Sequence, residues 1–282
     1  MPDPDKLLRT LHQAVAHFRA TPGRRGRVVV LDPAEDVLVV GDLHGHVENF
    51  RVAMQRAELG THPDRHLVLQ EAIHGSFRYP AGGDKSHQLL DLIAALKCQY
   101  PRQVHFLLGN HELSQWTHRR IAKNDDEDLN DLFRQGVGTA YAAQAGAVYS
   151  AYLELFAAAP VAVRTPNRVF ISHSLPSPMS LTPSFLAGLE KEKVGEADWL
   201  PGGCIHSIVW DRDIRAATAV AFLRHVDADL LITGHIPSEG GFAVPNDRRI
   251  ILDAMGSPAG YCLFPCGRPL THLELVDCIR TF

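Results

Sequence analysis

Aspartate, histidine, asparagine and glutamate recur in this chain directly after short apolar runs. Asp42 and His44 follow Val37-Leu38-Val39-Val40-Gly41, and Glu71 follows Leu67-Val68-Leu69-Gln70. Asn110, His111 and Glu112 come after the run at 104–108, His173 after 169–172, and His235 after 230–233. A carboxylate oxygen and an imidazole nitrogen two positions apart at a turn can converge on one point, and that donor pair suits a divalent transition metal. Each residue alone has an ordinary explanation, since an aspartate after a strand caps helices and a lone histidine is commonly a loop residue. Five such ends in order, on alternating elements, argue for a common centre.

The elements must then deliver these groups to one edge. In open α/β sheets, ligands bind outside the carboxyl ends of the strands. Apolar runs predict strands at 27–31, 37–40, 66–71, 104–108, 161–164, 169–172, 205–210 and 230–233, with antiparallel strands at 250–252, 260–264 and 272–276. Helical spacing predicts a leading helix at 4–20, helices at 47–59, 182–191 and 216–225, and a helical insertion at 113–158. Asp84 or Ser86 is placed to cap a further helix carrying Leu89, Leu90, Ile93 and Leu96. Alternating strands and helices imply an α/β fold with a largely parallel sheet and right-handed crossovers. Asp125-Asp126-Glu127-Asp128 reads as a solvated face or helix start, because it lacks the central glycine of a calcium loop.

The chain has 282 residues, 45% of them hydrophobic and 21% charged, enough for a sizeable core, and nothing divides it like a linker. It is expected to form one domain over residues 1–282. A net charge of −4 without a long basic run argues against a nucleic-acid footprint. No apolar segment approaches a membrane span or a signal-peptide core, so the expected location is the cytoplasm. Five scattered cysteines fit reduced thiols better than a disulfide framework, and Cys262 with Cys266 carries little weight as a zinc pair. Sixteen histidines, by contrast, invite a search for metal.

Gly41-Asp42-x-His44-Gly45, Gly109-Asn110-His111-Glu112, a strand-terminal His173 and Gly234-His235 resemble the calcineurin-like metallophosphoesterases. Trp210-Asp211-Arg212 and Ser257-Pro258-x-x-Tyr261-Cys262 bring the likeness nearer to the phosphoprotein (serine/threonine) phosphatase branch, over residues 37–264. The resemblance implies a four-layer αββα sandwich, two mixed sheets flanked by helices. It also implies two divalent ions, Asp42 and His44 holding one and Asn110, His173 and His235 the other. The family's bridging aspartate belongs to a Gly-Asp-x-x-Asp-Arg-Gly block that is not intact here. Gln70-Glu71-Ala72-Ile73-His74-Gly75 stands in its place, which assigns the bridge to Glu71 and sets His74 where the family has its second aspartate. Asp84 and Lys85 are candidates to restore the missing carboxylate and phosphate-binding cation, or are simply a helix cap and a solvated lysine. His111 is implied as general acid with Glu112 or Asp84 behind it, Arg212 and Tyr261 as phosphate contacts, and His46 and His74 as residues standing behind the ligands.

Such a site fits the chemistry of phosphate esters. Two divalent ions roughly 3.5–4 Å apart neutralise the ester's charge and bring the pKa of a bridging water towards neutrality. A histidine then protonates the leaving alkoxide. The implied activity is metal-dependent hydrolysis of phosphomonoesters on a phosphoprotein or small phosphoester, with manganese, iron, zinc or cobalt as cofactor. Two other readings stay open: a nucleotide or dinucleotide polyphosphate hydrolase, and a non-catalytic metal-binding regulatory protein, the latter because no arginine follows His74.

Overall fold

A computed structural model describes residues 3–32, 34–122 and 127–282. Two sheets stack face to face. The larger has the order β1 (Arg24–Arg25), β2 (Val28–Val30), β6 (Ala162–Arg164), β7 (Val169–Ser172), β8 (Leu230–Thr233), β10 (Arg249–Leu252), β9 (Phe242–Asn246). The smaller has the order β12 (Ile279–Thr281), β11 (Gly260–Pro265), β3 (Asp36–Asp42), β4 (Arg65–Gln70), β5 (Val104–Leu107). Both are mixed: β3, β4 and β5 run parallel and β11 opposes β3, while β7, β8 and β10 run parallel and β6 opposes β7.

Strand periodicity separates two cores, because successive side chains point to opposite faces. Val37 and Val39 of β3, Val68 of β4, Val169 and Ile171 of β7, and Leu230 and Ile232 of β8 meet between the sheets. Their neighbours Leu38, Val40, Leu67, Leu69, Phe170 and Leu231 face outwards to the helices. The helices are α1 (Pro4–Arg19), α2 (Val47–Ala57), α3 (His87–Gln99), α4 (Asn110–Thr117), α5 (Leu129–Tyr141), α6 (Ala145–Ala158), α7 (Phe185–Glu190), α8 (Glu196–Trp199), α9 (Cys204–Trp210), α10 (Ala216–His225) and α11 (His272–Val276). The result is the four-layer αββα sandwich. The leading helix α1, capped by Asp3 and burying Leu7, Leu11, Ala14, Val15 and Phe18, packs on α3 and α6. No helix among the described residues is long and apolar enough to cross a membrane.

Two expected strands are helices. Residues 205–210 lie in α9, where Ile205, Ile208 and Val209 are buried at helical spacing; a short apolar run does not distinguish a buried strand from a buried helix. Residues 272–276 form α11, started by a capping box in which Thr271 accepts from the Glu274 amide and Glu274 reaches back to the Thr271 amide. Three strands were not foreseen, the edge strands β1, β9 and β12. Asp128 caps α5, whereas Asp125 and Asp126 of the acidic segment lie outside the described residues.

The sheets are tied together where β3 ends. Asp42 bridges to Asp253 just beyond β10, and its carbonyl oxygen accepts from the Ala254 amide at 3.0 Å. Gly41 makes this possible, since a Cβ there would collide with the backbone of Leu252 and Asp253. Gly41→Ala is therefore expected to lower unfolding stability by about 1–3 kcal/mol, read by urea denaturation. Wild-type stability in that variant would show that the crossing is not tight.

Candidate metal centre and active site

Each parallel strand that ends near this crossing contributes a polar group. β3 supplies Asp42 and the turn after it His44; β4 runs into Glu71, β5 into Asn110 and His111, β7 into His173, and β8 into His235. Glu71 lies at the middle. Its Oε2 is 3.1 Å from His44 Nε2, and its Oε1 is 3.4 Å from His173 Nε2 and accepts from the His111 amide at 3.0 Å. Gly109 is bare because Glu71 and Glu112 oxygens occupy the space a Cβ would fill. Across the cluster, His173 Nε2 is 3.0 Å from Asn110 Oδ1, and its Nδ1 is 3.5 Å from Asp42 Oδ1. Two groups of donors close enough to hold an ion share Glu71: His44, Glu71 and His111, and Glu71, His173 and His235.

The surroundings orient these rings. His44 Nδ1 donates to the Ile73 carbonyl at 2.8 Å, which leaves Nε2 as the nitrogen facing Glu71. His235 Nε2 lies 3.1 Å from the Trp210 carbonyl and 2.9 Å from Arg212 Nε. Glu112 accepts from the amides of Ala72, Ile73 and Gly109, so it fastens the turn after β4 to the start of α4. Burial and the nearby Glu71 charge push its carboxyl up to about 7.

Charge in the cluster is balanced by protons. Burial pushes His44 down, but Glu71 and Asp42 outweigh it and raise the ring to about 10. The same opposition leaves His173 at about 8. Burial also raises Asp42, whereas for Glu71 the imidazoles of His173, His111 and His44 overcome burial and hold it well below the usual range. His235 is lowered to about 3 by burial and by His173. Asp42 Oδ1 and His173 Nδ1 are buried without a hydrogen-bond partner. Buried polar atoms without partners, beside two carboxylates and converging nitrogens, fit a cation.

The structure thus brings Asp42, His44, Glu71, Asn110, His111, His173 and His235 together. Other expected residues stand elsewhere. Asp84 does not reach His111: its carboxylate accepts from the Ser86 amide and hydroxyl, as a short polar side chain does at a turn before a helix. Lys85 lies over the Tyr79 ring and borders a separate small cavity with His46 and Phe77. His46 caps α2 by accepting from the Asn49 amide at 3.2 Å. Glu112 is spent on backbone amides and does not back the His111 ring. Tyr261 is buried in β11 with its ring 5.6 Å from that of Phe282, because that position faces the core between sheet and helices. The residue behind His111 is His74, its Nδ1 2.9 Å from His111 Nδ1. Gln115 was not foreseen. Its place one helical turn after His111 in α4 was the available signal.

A sequence profile of calcineurin-like phosphoesterases matches residues 36–239. The chain belongs to that family. It is therefore a phosphoester hydrolase by class. It is 23% identical over 242 residues to an Encephalitozoon cuniculi protein named as a probable serine/threonine-protein phosphatase, covering 79% of this chain and 47% of the other. The chain spans about half the length of that relative. Its fold is similar to that of a protein serine/threonine phosphatase from Saccharomyces cerevisiae, with a TM-score of 0.74 at 15% identity over 100% of this chain and 90% of that one. A cold-active protein-tyrosine phosphatase of a psychrophile Shewanella gives 0.58 at 16% identity, covering 92% and 82%. At such identities the likeness is one of fold.

For a phosphoesterase the cluster opens usefully. His44, His74, Asn110, His111 and Arg212 line a cavity of about 830 Å³ whose other walls include Ile121, Leu129, Trp210 and Met255. Among the described residues that line it, Arg212 carries permanent positive charge. Because metal ligands must shed their protons, the raised His44 and His173 couple binding to pH. Manganese affinity is expected to fall as pH drops from 8 to 6, with about two protons released per chain near pH 7. Calorimetry in buffers of different ionisation enthalpy reads this directly, and binding without proton release would contradict the charge balance described.

Proposed function

We propose that this chain is a two-metal phosphomonoesterase acting on phosphorylated serine or threonine side chains or on small phosphomonoesters. The observation that carries the reading is that Glu71 belongs to two groups of metal-type donors, one with His44 and His111 and one with His173 and His235, with Asp42 buried beside them. Asp42, His44 and Glu71 would hold one ion, and Glu71, Asn110, His173 and His235 the other. Such ions, when bound, offset phosphate charge and acidify a water. The named serine/threonine relatives support the substrate class.

The chain's own groups then divide the work. Arg212, at the cavity wall, binds phosphate oxygens and is free to turn from His235 to do so. Its planar fork suits that role better than a lysine point charge. Water oxygen attacks phosphorus as the bond to the leaving oxygen breaks in line. His111 gives that oxygen a proton from its ring, so the product departs as an alcohol rather than an alkoxide. Trp210, Ile121, Leu129 and Met255 give the leaving side chain an apolar wall. Among the described residues that line the cavity, Arg212 is the one with permanent positive charge.

Two substitutions test the assignment. Glu71→Ala is expected to remove bound manganese, counted by elemental analysis, together with the rate; unchanged metal content would retire the bridge. His111→Asn is expected to keep both ions and to slow hydrolysis of an alkyl phosphate by ~10²–10⁴-fold. Loss of an ion in that variant would make His111 a ligand and not an acid.

A further inference from the structure

The hydrogen bonds behind His111 form a chain whose proton positions can be deduced. Gln115 Nε2 lies 2.7 Å from Tyr149 Oη and 3.4 Å from the Asn130 carbonyl oxygen, and its Oε1 lies 2.9 Å from His74 Nε2. The Asn130 carbonyl can only accept, so the NH₂ of the amide faces it and Oε1 faces His74. An amide oxygen also only accepts, so His74 carries its hydrogen on Nε2. His74 is buried beside the Phe133 ring and Gln115, and no carboxylate touches it; burial lowers it to about 4 and the ring stays neutral. A neutral ring with hydrogen on Nε2 has its lone pair on Nδ1. Two ring nitrogens 2.9 Å apart share one proton, so His111 Nδ1 donates and His74 Nδ1 accepts.

Two further features hold the arrangement. His74 has a φ of 62°, a left-handed conformation uncommon for a residue other than glycine, and its amide donates to Ser86 Oγ at 3.1 Å. Gln115 is completely buried and shares α4 with His111.

We propose that His74 and Gln115 are positioning residues that fix the ring and tautomer of His111, so that Nε2 is the nitrogen offered to the leaving oxygen. The proposal rests on the phosphoesterase reading above and adds a neutral support where a carboxylate is absent. When the bond from phosphorus to the leaving oxygen breaks, its electron pair stays on that oxygen. The His111 Nε2–H proton moves to the oxygen, and His111 becomes neutral with its Nδ1–H bond to His74 unchanged. No ring has to turn. A neutral acceptor orients the imidazole as a carboxylate does, but it favours the imidazolium less, since charge-assisted hydrogen bonds are roughly twice as strong as neutral ones.

The test compares leaving groups, using manganese-loaded full-length protein. An alkyl phosphate departs as a poor leaving group that needs the acid; p-nitrophenyl phosphate does not. His74→Ala is expected to lower kcat on the alkyl ester by ~10–100-fold and on the nitrophenyl ester by less than ~5-fold, a share of the ~10²–10⁴-fold available to general acid catalysis. Gln115→Leu keeps the bulk but removes the amide oxygen that holds the His74 hydrogen on Nε2. It is expected to lower kcat on the alkyl ester several-fold more than on the nitrophenyl ester, in the same sense as His74→Ala and by a smaller factor. Equal losses on both esters in His74→Ala overturn the relay, and so does an unchanged ratio of the two rates in Gln115→Leu. Unchanged rates in His111→Asn overturn the role of His111 itself, which separates failure of the reading from failure of the relay.

Discussion

Two carboxylates, Asp42 and Glu71, are buried at the meeting of two sheets, and among the described residues no lysine or arginine forms an ion pair with either. An uncompensated buried charge is costly enough that a protein pairs it, neutralises it or gives it a metal. Here imidazoles surround the carboxylates and take up protons in the absence of anything better. The arrangement explains why the histidines divide. His44 and His173 are raised by the carboxylates they face, while for His235, His111 and His74 burial outweighs the pull of Glu71 and depresses the ring. Divalent ions would meet the same electrostatic demand with more charge and in fewer places.

The backbone is organised around that demand. His44, Glu71, His74 and His235 all have positive φ, each a conformation that costs energy outside glycine and persists only where its surroundings hold it. Glu112 is one such restraint, clamping the turn that follows Glu71 through three backbone hydrogen bonds. Gly41 is another, because it lets β3 pass close enough to the other sheet for Asp42 to receive the His235 amide. The interior of the sandwich, with strand residues buried on both faces, supplies the rigidity that keeps these restraints in register.

Much of this was legible in the chain. Strand-terminal Asp42, Glu71, Asn110, His173 and His235 announced themselves through apolar runs of strand length, and the α/β alternation followed from the same pattern. The helices α9 and α11 were misread for different reasons. In α9 the helical spacing of Ile205, Ile208 and Val209 spans too short a segment to separate helix from strand, whereas the Thr271–Glu274 capping box was a local signal outweighed by the apolar residues after it. The support of His111 was harder to read. Asp84 is nearby in sequence and carries the expected chemistry, but its carboxylate finds closer donors in Ser86. His74 was readable as a residue behind the ligands, whereas Gln115 meets it through an amide whose orientation is set by the Asn130 carbonyl, a contact that no sequence pattern encodes. Tyr261 shows the converse, a motif residue whose side chain the strand turns into the core.

The central claim is that Glu71 lies between two ions. Anomalous diffraction from manganese-soaked crystals measures it most directly. The account predicts two peaks flanking the Glu71 carboxylate, one within reach of Asp42 and His44 and the other within reach of Asn110, His173 and His235. A single peak, or peaks that leave Glu71 without a metal contact, would contradict it.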